Sequence, residues 1–282
     1  MSLNAGNVLK INITLDPKAK ILEHVQKYLN QDDENGQKKS KKVIKPLIIV
    51  TPNAEQLVES TQNVPFAKML NRADIAIPDG IGAVFAIRFF GKRADGSQSA
   101  LPIQRIAGVD FMQDLAAVAS EERVTIGLMG GRAGLAVKAL ECLSRKNLKL
   151  NGWAQEAPEF FIENNELKIK KYDKKQQESY FRDVAKHIED TKAKIVFVGL
   201  GAPKQEYFIE MLSSYLSLKF PVVLMSVGGS FELISGSIKR APHIFRLIGF
   251  EWAWRLSQEP WRWRRQLALF RFIWLLLKQS WL

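Results

Sequence analysis

Short apolar runs, each closed by a small or polar corner and followed by residues at helical spacing, restrict the fold of this chain more than any other feature. Ile195-Val196-Phe197-Val198 is the clearest of them. Four consecutive large apolar residues suit a strand buried on both faces, and Gly199-Leu200-Gly201-Ala202-Pro203 ends it. Leu47-Ile48-Ile49-Val50 repeats the pattern and stops at Thr51-Pro52-Asn53. Residues 73–77, 124–129 and 222–227 do the same and stop at Pro78-Asp79-Gly80, Gly130-Gly131 and Gly228-Gly229. Strands alternating with helices build an α/β fold, here a doubly wound Rossmann-like sheet. Such a sheet binds ligands at the carboxyl ends of its strands, so chemistry is expected at these corners.

The remaining segments fill in around that rhythm. Residues 8–15 alternate well enough for one short strand, and Ile21, Leu22, Val25 and Leu29 give Lys18–Leu29 helical spacing. Residues 30–42 are almost wholly polar and read as an exposed, mobile loop; 91–101 read as a surface loop and 164–178 as a variable polar stretch. Helices are expected over Ile81–Phe90, after Asp110, over 135–143, around Val184 and Ile188, and from Pro203 to about residue 216. Asp110 and Gln113 have capping-box spacing. Residues 130–134 resemble half of a phosphate-cradling loop, although close strand-helix packing explains the glycines equally well. The expected organisation is an N-terminal strand and helix with a polar loop packed on the core (1–45), a catalytic core (46–236) and a basic, Trp-rich helical appendage (237–282).

Asp79 holds a strand-to-helix corner whose Pro78 and Gly80 keep the backbone tight, so its carboxylate is a candidate general base; a plain helix N-cap is the competing reading. Thr51 and Asn53 occupy a second corner, either holding substrate or base in place or capping the next helix. His24, His187 and His243 lie far apart without ligand spacing, so no zinc site is expected. The single cysteine, Cys142, excludes an internal disulfide and suits a reducing cytoplasm.

The net charge of +12 calls for an anionic partner, and its distribution narrows the choice. After Gly236 the bases Lys239, Arg240, Arg246, Arg255, Arg262, Arg264, Arg265, Arg271 and Lys278 face only Glu251 and Glu259, and six of the seven tryptophans fall in the same stretch. Bases interleaved with tryptophan suit a surface lying in the headgroup layer of an anionic membrane. The apolar run 267–277 is broken by Arg271 and is shorter than the ~20 residues a spanning helix needs, so it is expected to lie on the membrane. A homo-oligomerisation helix is one alternative. A nucleic-acid surface is the other, but it rarely sets so long an apolar run beside its charge, and no nucleic-acid partner is expected.

Thr51-Pro52-Asn53-Ala54-Glu55, Pro78-Asp79-Gly80-Ile81-Gly82, Arg105 with Gly108 and Asp110, and Gly199 with Gly201-Ala202-Pro203-Lys204-Gln205-Glu206 come in that order. Gly228-Gly229-Ser230-Phe231, Gly236 with Lys239-Arg240-Ala241-Pro242, and Glu251-Trp252 with Arg255-Leu256 and Glu259-Pro260 complete the series. Together they resemble the WecG/TagA/CpsF family of bacterial glycosyltransferases. The resemblance implies inverting transfer of a sugar (N-acetylmannosamine, its uronic acid, or a hexose such as glucose) from a UDP-sugar to a polyprenyl-diphosphate-linked saccharide. The reaction would take place at the cytoplasmic face of the plasma membrane, with the protein peripheral. It implies Asp79 as base with Thr51 beside it, and Asn53, Arg105 and Asp110 on the acceptor. On the UDP side it implies Gly131, Gly199, Gly201, Lys204, Gln205 and Glu206 from the middle of the chain. Further along it adds Gly229, Glu232, Lys239, Arg240, Arg255, Arg262 and Arg265.

Glu232 stands where the family commonly has Asp, and Tyr207 where it often has Trp. No Asp-x-Asp occurs anywhere, so the pair that usually holds a metal on the diphosphate is missing. Arginines, with the amides after Gly199 and Gly228, are expected to serve instead, with no metal and no cofactor. A nucleotide-binding oxidoreductase on the same sheet is the alternative from another class, as is a non-catalytic membrane- or nucleic-acid-binding protein. The former would want Gly-x-Gly-x-x-Gly with an acidic residue about 20 positions on, which is not found together here.

Overall fold

Successive side chains of a strand point to opposite faces, so an unbroken apolar run can fill two layers at once. The computed structural model describes residues 3–31, 43–93, 103–247 and 249–280. Its strands in chain order are β1 (Ala5–Val8), β2 (Ile11–Thr14), β3 (Leu47–Val50), β4 (Ile75–Ala76), β5 (Lys92–Arg93), β6 (Thr125–Gly130), β7 (Asn151–Gln155), β8 (Phe160–Glu163), β9 (Glu166–Ile169), β10 (Ala193–Gly199) and β11 (Val223–Ser226). Six of them form one parallel sheet in the order β4-β3-β11-β10-β6-β7. On β10, Ile195 and Phe197 join the layer that packs on helices Lys18–Leu29, Gly108–Glu121 and Leu135–Lys146. Val196 and Val198 join the opposite layer, which packs on Ala54–Ser60, Ile81–Phe90, Lys174–Thr191 and Lys204–Tyr215. Phe197 is wholly buried, and burial of such a side chain contributes about 1.5–3 kcal/mol.

Local chemistry sets the helix starts. Asn53 accepts from Gln56 N (3.0 Å) while the Gln56 side chain accepts from Asn53 N (3.1 Å), a complete capping box. Asp173 and Gln176 repeat it at the head of Lys174–Thr191. The box expected at Asp110 and Gln113 does not form. The helix starts earlier, at Gly108, and the Gln113 amide donates within the helix to Val109 O.

The single strand expected over 8–15 is instead a hairpin, β1 with β2, and β5 joins it where a surface loop was expected. Its turn residues Leu9 and Lys10 have positive φ (49° and 66°) without the glycine or asparagine that normally announces such a turn. Residues 164–178 are likewise not one loop: Asn164 and Asn165 turn β8 into β9, and Asp173 then starts a helix. Most of the polar segment 30–42 and most of the loop 91–101 lie outside the described residues.

After Gly236 the chain forms helices His243–Leu247, Glu251–Gln258 and Trp263–Ser280. The last of these lies on Ala54–Ser60 and Ile81–Phe90 and buries Phe272 and Leu276 in the same layer as Val50 and Ala83. Among the described residues no helix is long and apolar enough to cross a membrane.

Candidate active site

The corners at the carboxyl ends of β3, β4, β6, β10 and β11 open into one cleft of about 910 Å³. The cleft is lined from the sheet side by Thr51, Asn53, Asp79, Gly131, Gly199 and Gly229, and from the C-terminal segment by Lys239, Glu251, Trp252, Trp254 and Arg255.

Asp79 sits on the floor beside Thr51. Its backbone N–H donates to Pro52 O (3.1 Å), which ties the β4 corner to the β3 corner. Gly80 follows at φ 85°, a conformation that favours glycine, and starts the Ile81–Phe90 helix. The Asp79 carboxylate accepts from the Gly108 amide. A Cβ on Gly108 would stand 3.2 Å from Thr51 Cγ2, so this glycine lets the amide approach while Thr51 stays packed. Desolvation pushes the Asp79 carboxyl up to about 6; Arg105 and Arg255 pull against that shift and Glu251 adds to it.

The diphosphate end is expected around the glycine turns. Arg255 reaches over the β11 corner: a Cβ on Gly229 would stand 2.5 Å from its Nη2, so only glycine leaves the guanidinium room. Glu259 accepts from Arg255 Nε (3.1 Å) and orients it. Lys204, Gln205, Gly201 and Glu232 also line the cleft.

Glu206 does not. It is 2% exposed beneath the floor, where its Oε1 accepts from the Gln205 amide (2.8 Å). Gln205 Oε1 in turn accepts from Gly228 N (2.9 Å). Burial pushes the Glu206 carboxyl up to about 7. Four amides around these turns are already bonded within the protein: Gly228 N to Gln205, Ser230 N to Val227 O, Gln205 N to Gly201 O and Glu206 N to Pro203 O.

Three residues expected on substrate are bound to protein instead. Asp110 and Arg240 form a two-bonded pair (2.6 and 2.7 Å) outside the cleft lining, and the contact holds the Asp110 carboxyl below its usual range against its own desolvation. Arg105 lines the cleft but donates to Glu251 and, at 2.8 Å, to Arg246 O. All these contacts join the core to the C-terminal segment. The side chains of Arg262 and Arg265 lie outside the described residues. Among the described residues no three His, Cys, Asp or Glu side chains come together as a metal site would require.

The profile of the glycosyl transferase WecG/TagA/CpsF family matches residues 7–282. The chain belongs to this family. It is 32% identical over 239 residues, 84% of this chain and 80% of the relative, to the N-acetylglucosaminyldiphosphoundecaprenol N-acetyl-beta-D-mannosaminyltransferase of Bacillus spizizenii. To the protein of the same name from Bacillus subtilis it is 29% identical over 235 residues, 83% of this chain and 80% of that one.

For a transferase of this family, the residues missed by sequence reasoning are Glu251 and Glu259, which orient Arg105 and Arg255. The signal was available. Two acids alone among nine bases are poorly explained as a solvated face and well explained as anchors for particular arginines.

Proposed function

We propose that this chain transfers N-acetylmannosamine, with inversion, from its UDP donor to a polyprenyl-diphosphate-linked N-acetylglucosamine, in cell-envelope polysaccharide synthesis. The observation that carries the reading is Asp79: a carboxylate of raised pKa at a strand end, facing a cleft that cationic side chains close from the other side. The names of the two Bacillus relatives support the choice of donor sugar and acceptor.

In this reading Asp79 takes the proton from the acceptor hydroxyl as that oxygen attacks the anomeric carbon. The bond from that carbon to the β-phosphate oxygen breaks on the opposite face, and UDP leaves with the electron pair. Arg255, Lys204 and Lys239 face the developing charge, and Arg255 is the best placed because Glu259 already holds it over Gly229. Thr51 and Asn53 line the cleft beside Asp79 and position the acceptor, Asn53 through its amide NH2, since its Oδ1 already caps the Ala54–Ser60 helix. Arg105, Asp110 and Arg240 act one step back, by holding the segment that carries Arg255. No metal is assigned to the diphosphate.

The same segment supports peripheral attachment to the anionic cytoplasmic face of the plasma membrane. Trp261, Trp263 and Trp274 are exposed there among bases, a composition suited to the headgroup layer. The experiment is transfer to a polyprenyl-diphosphate-GlcNAc acceptor, run in parallel with UDP-N-acetylmannosamine, its uronic acid and UDP-glucose. A disaccharide product from the first donor is expected. Product from either of the others alone would overturn the donor assignment, and no product from any would overturn the function.

A further inference from the structure

The Ile81–Phe90 helix begins two residues after Asp79, and only one of its faces is used by the core. Ala83, Ala86 and Ile87 are fully buried, whereas Ile81, Phe85 and Phe89 are 47%, 50% and 55% exposed. Positions four apart fall on one side of a helix, so these three make a single stripe. Phe85 and Phe89 touch along it, their rings tilted at 41° with centroids 4.6 Å apart, and Arg88 lies 5.9 Å over the Phe89 ring. An apolar stripe of this size facing water marks a surface that meets something.

What it meets follows from its neighbour. Trp263–Ser280 packs on this helix: Phe272 comes within 3.6 Å of where a Gly82 Cβ would stand. That longer helix turns Phe270, Ile273, Trp274 and Leu277 outward. Neither helix contains a single Asp or Glu, while Arg88, Arg271 and Lys278 are all exposed. Two copies of such a face would repel each other, whereas an anionic lipid surface is complementary to both its charge and its aromatic rings. Ile81 and Leu269, one from each helix, also line the cleft that holds Asp79.

We propose that Ile81–Phe90 is a second lipid-docking element, supplied by the catalytic core. The protein then rests on an anionic bilayer through two helices, with the apolar mouth of the cleft between them opening onto lipid. The inference deepens the membrane reading above and rests on it. Its consequence is geometric. The acceptor's hydrocarbon can stay in the bilayer while its diphosphate and sugar reach a base only two residues from the docking helix.

The test is co-sedimentation of the full chain with vesicles of phosphatidylglycerol and phosphatidylethanolamine, wild type beside the Phe85→Ser, Phe89→Ser double variant. Both rings are exposed, so the variant should fold, with unchanged circular dichroism and unchanged turnover on a short, water-soluble acceptor. Vesicle affinity should fall about tenfold or more, the scale expected for losing two large apolar side chains from an interface. Phe85→Cys in a Cys142→Ser background, carrying an environment-sensitive dye, should shift to the blue on the same vesicles. Wild-type binding that the double variant retains, with no dye shift, would overturn this inference and leave the C-terminal attachment standing. A wild type that ignores anionic vesicles would overturn both. A double variant that changes oligomeric size in lipid-free buffer would show that the stripe meets a second copy instead.

Discussion

In the proposed mechanism Asp79 is the residue on which the chemistry turns, and its surroundings give it a testable titration. Its carboxyl is held at about 6 because protein encloses it, with Glu251 adding to the shift. A base must be ionised, so turnover should rise with pH through about 6 and then level off. Asp79→Asn should fold and lose transfer by about 10²-fold or more, measured as kcat on the purified variant. Near-wild-type turnover would remove Asp79 from the role. Glu251→Gln should move the rising limb to lower pH, because it deletes a negative neighbour and releases the Arg105 charge that Glu251 now offsets. Glu206 titrates for a different reason. Its folded pKa of about 7 lies above the ordinary 4.5, so the folded state binds the proton more tightly than the unfolded chain does. The stability contributed by the protonated carboxyl is therefore complete below about 4.5 and is lost as pH rises towards 7. Glu206→Gln should flatten the fall in Tm across that window, where the wild type gives up roughly 3 kcal/mol at most. A wild-type Tm that holds steady from pH 4.5 to 7 would contradict the buried placement. That Asp79, Thr51 and Asn53 would line the cleft could be read from their corners alone. The pairing of Arg105 with Glu251 could not, because 146 residues separate the partners and only the folded chain brings them together.

At the scale of elements, what could be read was whatever obeys a period or a turn rule. Five of the six strands of the central sheet announced themselves because burial on both faces demands unbroken apolar runs, and Lys18–Leu29 and Ile81–Phe90 because a half-buried helix repeats its apolar residues every three or four positions; the sixth, β7, is an edge strand, Asn-Gly-Trp-Ala-Gln, that carries no apolar run and so gave no signal. The β1-β2 turn has no such mark, since Leu9 and Lys10 are held at positive φ by the pairing around them. Asn164-Asn165 did carry a mark, but the charged residues around it made the segment resemble a loop. The glycine turns hold a further message: some are spaces for a neighbour. Gly229→Ala should displace the Arg255 guanidinium, whose Nη2 lies 2.5 Å from the new Cβ, and lower turnover about tenfold, the effect of weakening one charge-stabilising contact. Arg255→Ala should cost at least as much, and the two changes combined should cost little more than Arg255→Ala alone. Additive losses in kcat would show that Gly229 serves something other than that arginine. Turnover in both wild type and variants should survive EDTA, as the assignment of the leaving-group charge to cationic side chains requires. Activity abolished by EDTA and restored by magnesium would overturn that assignment.

At the scale of the whole molecule, the C-terminal segment lines the cleft and fills part of the core at once. Phe272 and Leu276 fill the layer beneath Ala54–Ser60 and Ile81–Phe90, so removing residues 237–282 should do more than remove an anchor. The truncated chain should melt lower by on the order of 10 °C, since uncovering two large apolar side chains costs a few kcal/mol. It should also lose transfer, because Arg255 and Lys239 leave with the segment. That loss alone does not separate anchoring from positioning, and the Asp110–Arg240 pair does. The pair is partly exposed, so breaking it should change stability little, within the range of about 1 kcal/mol usual for such contacts. Its two parallel bonds nevertheless fix where the segment crosses the core, and a displacement of about 1 Å at the cleft is enough to cost up to 10²-fold in rate. Asp110→Ala and Arg240→Ala should therefore each lower kcat several-fold with little change in Tm or in vesicle binding. The exchange Asp110→Arg with Arg240→Asp should recover part of the loss, because the charges again meet across the same gap. Equal losses in the exchanged protein and the single variants would mean that the pair does not position the segment, and that Arg105 with Glu251 holds it alone.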